Sequence, residues 1–364
     1  MRGGQDTEGR YVFLDYLRAL AAWLVVWDHI ANSFPEGQGL VFWPAQLVRS
    51  NIAAPLGIIQ DFGWFGVCVF FLISGFIISD RARVESFSKF VVKRVLRIYP
   101  MLAVAVALSC AFMTPTAQVT VENVLLNLTL ANYLMVPQVI LVGVAWTLII
   151  EMVFYVLTAA TQFARGSPHR IAFNLAFAAL VIWKARAFGP QFFLFAVSVS
   201  YLPILAMGQT IYWWLAQRRL SAVWGLGYLL AAYGIFLMGL RTMQPNFLPL
   251  TNSYLVSVFY ALLLFVALLH ARLPERRLVR FLSDTSYSMY LLHGIVGFMV
   301  MQALMHRTPL SVAILLAVGA SLAASCLTYR FVETPSQRLA RRLSQGPPSV
   351  GRSLVGWVRS ARGA

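Results

Sequence analysis

Long apolar runs alternate with short polar connections along almost the whole chain. A helix needs about 20 apolar residues to cross a bilayer. Ten runs meet or approach that length: 12–33, 62–80, 98–113, 140–163, 170–187, 190–212, 222–240, 251–271, 284–304 and 309–331. The third is the shortest. The stretch 114–139 is expected to re-enter the membrane or lie at its surface. The predicted fold is all-α: a polytopic integral membrane protein of about ten transmembrane helices, with both termini cytoplasmic. The expected domains are one transmembrane domain, 1–343, and a flexible basic cytoplasmic tail, 344–364, rich in Gly, Pro and Ser.

Composition agrees with this pattern. The 364 residues are 59% hydrophobic and 12% charged, with mean hydropathy +0.72. Soluble domains are about 25% charged. The first ten residues are polar and the first apolar run is long enough to span, so no cleavable leader is expected. Cys68, Cys110 and Cys326 lie in apolar stretches without metal-ligand spacing and read as small buried hydrophobes; no metal site is expected.

A net charge of +16 invites a nucleic-acid reading, but the placement of the charge argues against it. Alternate connections and the two ends carry 23 Lys and Arg, the opposite connections carry five, and Arg18 lies inside a run. That is the positive-inside signature of membrane topology. The cluster at 81–97 is denser than topology needs. It suits anionic lipid or a phosphate-bearing ligand. No internal repeat is visible, whereas inverted repeats with broken helices would mark a transporter.

Ionisable groups inside the runs are costly and point to a protein interior or a wet cavity. The first run, LDYLRALAAWLVVWDHI, holds Asp15, Arg18, Asp28 and His29. Eleven residues of α-helix return to within about 20° of the starting direction, so Arg18 and His29 share a face about 16 Å apart along the axis. Asp15, three before Arg18, can reach it. Asp28 points about 100° away from His29. Histidine can take and return a proton near neutral pH, as a hydroxyl attacking an acyl carbonyl requires. Glu151 lies deep in AWTLIIEMVFY and needs a partner or a proton; Arg18 and His29 are candidates. His293 lies deep in SYSMYLLHGI, where packing and function fit equally well. Ser74–Gly75 reads as a small pair for close helix approach. KFVVKRVLRIYP brings Lys93, Arg94 and Arg97 within about one turn, with Pro100 near the helix start.

Taken together, LDYLRALAAWLVVWDH, FFLISGFII, FVVKRVLRIYP, WTLIIEMVFY, SYSMYLLH and YRFVETP resemble, in order, the membrane-bound acyltransferase-3 family. This family includes O-antigen, exopolysaccharide and nodulation-factor acyltransferases. The resemblance runs from residue 13 to about 336. It implies transfer of an acyl group, acetyl first, from cytoplasmic acyl-CoA to a hydroxyl of an extracytoplasmic glycan or glycan precursor, in a bacterial inner membrane. No bound cofactor is implied, since acyl-CoA is a substrate. By position, His29 would be the catalytic histidine, as general base or as transient carrier of the acyl group, with Asp28 or Glu151 tuning it. Arg18 and Asp15 would lie on the donor path. Lys93, Arg94 and Arg97 would form the basic mouth near the CoA phosphates. Trp146, Tyr287 and His293 would line the substrate path. Leu102 stands where members often have tyrosine. No hydrolase-like domain occurs within these residues, so acceptor handling is expected of the membrane domain. Two alternatives stay open on sequence: a transporter of a lipid or glycan, and a non-catalytic subunit of a polysaccharide export assembly.

Overall fold

The structure, a computed structural model, describes residues 10–58, 62–162, 167–243 and 251–344. Within them there is no strand. The expected tail lies outside the described residues from 345 onward, as do Arg2 and Arg165.

The apolar runs become helices: α1 Val12–Val26, α2 Gly63–Val84, α3 Phe87–Phe112, α4 Gly143–Ala160, α5 His169–Trp183, α6 Pro190–Ala216, α7 Ala222–Met243, α8 Asn252–His270, α9 Ser286–Leu304 and α10 Leu310–Ser344. Eight of these, all but α1 and α5, are long and apolar enough to cross a membrane. α1 continues as a π-helix, Trp27–Ser33, and α5 has 15 residues. The chain is an all-α polytopic membrane protein.

α2 is the hub of the bundle. Its apolar window is 78% buried, against 28% in α7, α8 and α10, which present exposed Leu230, Phe259 and Leu315 outward. The hub depends on glycine. A Cβ on Gly75 would strike the Leu205 carbonyl oxygen of α6, and one on Gly208 would strike that of Leu72. One on Gly66 would lie 2.7 Å from the Ala21 carbonyl oxygen of α1. Small residues let helix backbones meet this closely. Gly75→Leu is therefore expected to destabilise the protein by at least about 1–3 kcal/mol, the usual cost of overpacking. Gly227→Leu, where nothing lies within 4 Å, should be nearly neutral. Thermal unfolding in detergent checks this; equal midpoints for the two variants would refute the packing account.

Four features change or sharpen the sequence reading. The third helix begins at Phe87, not 98, because the basic stretch and the apolar run form one 26-residue helix. Charge in its first turns lowered the hydropathy without ending the helix. Pro100 consequently sits inside the helix rather than near its start; spanning helices tolerate such prolines where neighbouring groups re-satisfy the backbone. The stretch 114–139, left open between re-entry and the surface, buries Leu130, Asn132 and Tyr133. It carries a short helix, Val121–Leu128, with Val121 and Leu125 exposed. Thr120 caps that helix by accepting from the Asn123 amide at 3.1 Å. Cys68 is buried as expected, whereas Cys110 and Cys326 are only half-buried.

Candidate active site

Three cavities follow one another along α1 with its π-helical continuation and α3, the last two also reaching α9. The first, about 520 Å³, lies at the basic end and is lined by Arg10, Arg18, Arg81, Lys93, Arg97 and Arg341 among others. The second, about 70 Å³, is a narrow neck that shares Arg18 and Arg97 with the first and reaches Glu151, Tyr287 and Tyr290. The third, about 560 Å³, contains His29 and Trp146. Tyr290 is the partition between the last two. Its hydroxyl lies 3.1 Å from Thr147 Oγ1 and donates to the Val144 carbonyl at 3.3 Å, and its ring meets Phe70 edge-on.

Histidine geometry dominates the third cavity. His29 Nδ1 lies 2.7 Å from His293 Nε2, with the rings stacked at 13°. His293 Nδ1 lies 3.0 Å from the Met289 carbonyl oxygen. A carbonyl only accepts, so His293 carries its proton on Nδ1 and its Nε2 accepts from the Nδ1–H of His29. His29 Nε2 is left with a lone pair. That nitrogen is 3.9 Å from an Asp28 carboxylate oxygen. Asp28 is buried, and its other oxygen accepts from Ser33 Oγ at 2.9 Å.

Both histidines lie in π-helical turns, Trp27–Ser33 and His293–Gly297. Such bulges recur at functional sites because they re-aim side chains within a helix. Here the i, i+5 spacing brings Ser33 over Asp28. A uniform 100° step per residue cannot anticipate this, and the sequence-based angle between Asp28 and His29 does not apply to the π turn.

The other expected residues divide between the remaining cavities. Glu151 accepts hydrogen bonds from Ser74 Oγ and from Tyr155 Oη, the latter at 2.9 Å. It lies in the neck with Arg18 and Arg97, whereas His29 lies in the third cavity. The structure brings His293, not Glu151, to His29. Ser74 thus has a polar contact, and only Gly75 of that pair serves close packing. Asp15 accepts from Arg10 at 2.7 Å and from Ser283 Oγ at 2.9 Å, rather than pairing with Arg18. Arg10 approaches from the turn before the helix, and Arg18 faces the cavities instead.

The basic mouth is partly neutralised. Lys93 donates to Glu85 at 2.7 Å, and Arg94 lies 3.7 Å from the same carboxylate. Arg94 is buried, between the rings of Phe90 and Tyr155. Arg18 and Arg97 make no hydrogen bond or ion pair to any described residue. Tyr287 donates to the Ile98 carbonyl at 3.1 Å, tying α9 to α3 at the neck. Trp146 packs against Tyr201, with ring centroids 5.3 Å apart.

Sequence reasoning missed Glu85 and Glu333. Glu85 adjoins the basic cluster, which was the available signal. Glu333 lies in YRFVETP and is buried, accepting from Ser288 at 2.9 Å and from Gln337 at 3.0 Å. Beside the third cavity, Arg49 holds the Glu36 carboxyl below its ordinary value of 4.5. A depressed carboxylate pKa contributes stability that is present above the unfolded value and lost as pH falls through the folded one. Acidification below 4.5 should therefore loosen the 34–53 segment, seen as faster hydrogen exchange there. Arg49→Gln should remove that pH dependence, and an unchanged dependence would refute the assignment.

An acyltransferase family model, described as an acyltransferase domain, matches residues 11–330. Nodulation protein 10 of Rhizobium leguminosarum bv. viciae is 28% identical, over 93% of this chain and 98% of its own length. No solved structure matches. The matched span contains α1 through α9, the second and third cavities and both histidines, so this chain belongs to the membrane-bound acyltransferase-3 family and is a membrane acyltransferase.

Proposed function

We propose that this chain moves an acyl group, acetyl by first expectation, from cytoplasmic acyl-CoA to a hydroxyl of an extracytoplasmic glycan or glycan precursor. The observation that carries the reading is the Met289 carbonyl–His293–His29 chain, which leaves His29 Nε2 able to accept a proton. Charge supports the direction. The cavity rich in Arg and Lys supports a cytoplasmic position for that end, by the positive-inside rule.

In this reading Arg18 and Arg97 hold the phosphates of the donor. The thin acyl-bearing arm extends through the neck, past Tyr287 and Glu151, and Tyr290 moves aside to admit it. The acceptor enters the third cavity beside Trp146. His29 Nε2 takes the hydroxyl proton as oxygen bonds to the acyl carbon. The imidazolium is stabilised by Asp28 on one side and by His293 on the other. The tetrahedral intermediate collapses, the carbon–sulfur bond breaks and the proton passes to the thiolate. Glu151 contributes negative charge beside Arg18 and Arg97 rather than orienting His29.

Transfer of label from radiolabelled acetyl-CoA to total polysaccharide, in membranes with and without the protein, tests the reading. Label that requires the protein is the expected result. Absence of transfer from acetyl-CoA and from longer acyl-CoAs, with folded protein present, would refute it and restore the transporter alternative.

A further inference from the structure

The first and third cavities differ in kind. The first is crowded with cations and carboxylates, whereas among the described residues His29 is the only titratable side chain lining the third. The polar side chains there are Ser33, Gln38 and Ser109. Ser109 donates to the Leu141 carbonyl and Ser33 to Asp28. The rest of the wall is apolar or backbone, with aromatic surface from Phe34, Trp146 and Phe298. Phe34 and Phe298 stack at 4.5 Å and 20°, and the Phe298 ring stands 6.4 Å from that of His29. Trp146 is held by Tyr201 and by Trp64, the latter stacked at 6.5 Å. Arg49, at the same end of the molecule, is bound to Glu36 and Asn32.

A ligand that presents a hydroxyl to His29 must therefore lie against aromatic and aliphatic surface, with no cation among the described lining residues to receive a charge. Sugar rings suit such a wall, because a pyranose has an apolar C–H face and a polar hydroxyl edge. A carboxylate or phosphate does not suit it. Desolvating an anion without a partner is costly.

We infer that the third cavity binds an uncharged pyranose ring of the acceptor, with its apolar face against the Phe298 and Trp146 surfaces and one hydroxyl at His29 Nε2. Sugars that carry an anionic group on the reacting residue are excluded. This rests on the O-acylation proposed above and names the substrate class of that site. Selection works through what the wall lacks. A buried group left without a partner is rejected far more strongly than one of slightly wrong shape.

The test uses the full chain in lipid nanodiscs with radiolabelled acetyl-CoA. Three acceptors are compared: p-nitrophenyl β-glucoside, the corresponding β-glucuronide and the methyl ester of that glucuronide. The last two differ in charge and by one methyl group. The better neutral acceptor is expected to exceed the glucuronide by about 100-fold or more in kcat/KM, as for a site that leaves a buried group unpaired. Gln38→Lys adds a cation where the wild-type side chain is exposed, so it should fold normally. It should narrow the ratio by about tenfold, through a charge-assisted contact. Equal use of neutral and anionic acceptors by the wild type would overturn the inference. So would acetyl-CoA consumption that depends on His29 but labels none of the three glycosides. No consumption of acetyl-CoA under any condition, by folded protein, would instead overturn the donor reading beneath it.

Discussion

His29→Ala should lower acyl transfer by about 10²–10⁴-fold, the usual contribution of a positioned general base. The amount of folded protein in the membrane should stay unchanged. The imidazole faces a cavity and its side chain is 31% exposed, so truncation leaves no sealed void. What it removes is the nitrogen whose lone pair is fixed by two successive hydrogen bonds. The account also ranks variants of the partner. His293→Leu abolishes the acceptor for the Nδ1–H of His29 and should cost nearly as much. His293→Gln offers an amide oxygen and should retain part of the rate. Initial rates of label transfer, normalised to monodisperse protein, check both statements. A His29→Ala rate close to wild type would remove the proposed base, and equal rates for the two His293 variants would remove the relay.

The second large effect is expected at the other end. Arg18→Ala and Arg97→Ala should each raise KM for acyl-CoA by about 10–100-fold, in line with the loss of one charge-assisted hydrogen bond. kcat should change less. Neither guanidinium is bound to a described residue, so little folding energy is lost with it. Arg94→Ala should behave differently, because that guanidinium is packed against Phe90, Tyr155 and Glu85. Its loss should lower thermal stability more than donor affinity. Steady-state kinetics beside thermal unfolding separates the cases. An unchanged KM in both Arg18→Ala and Arg97→Ala would place the donor phosphates elsewhere.

The membrane fold was legible because long apolar runs report directly on helices able to span. Helix ends near charge were not. Hydropathy placed the start of α3 eleven residues late, since Lys93, Arg94 and Arg97 face a cavity while the helix continues. The site residues were visible singly, because ionisable groups are rare inside spans. Their pairing was not. Ideal α-helical angles fail where the chain enters π turns at Trp27 and His293, and those turns set the His29–His293 contact. Asp15 was assigned to Arg18 by its helical spacing, yet Arg10 reaches it from outside the helix. Glu151 looked like a partner for His29 because both are deep. Depth alone does not say which helices face each other, and Tyr290 stands between the neck and the third cavity.

The central claim is that donor and acceptor enter from opposite ends and meet at His29. The most direct measurement uses sealed vesicles with the basic end outward. Radiolabelled acetyl-CoA is added outside and p-nitrophenyl β-glucoside is trapped inside. The account predicts labelled glycoside in the lumen and free CoA outside, both lost in His29→Ala. Labelled glycoside that forms only when donor and acceptor share one side, or that forms equally well without His29, would contradict it.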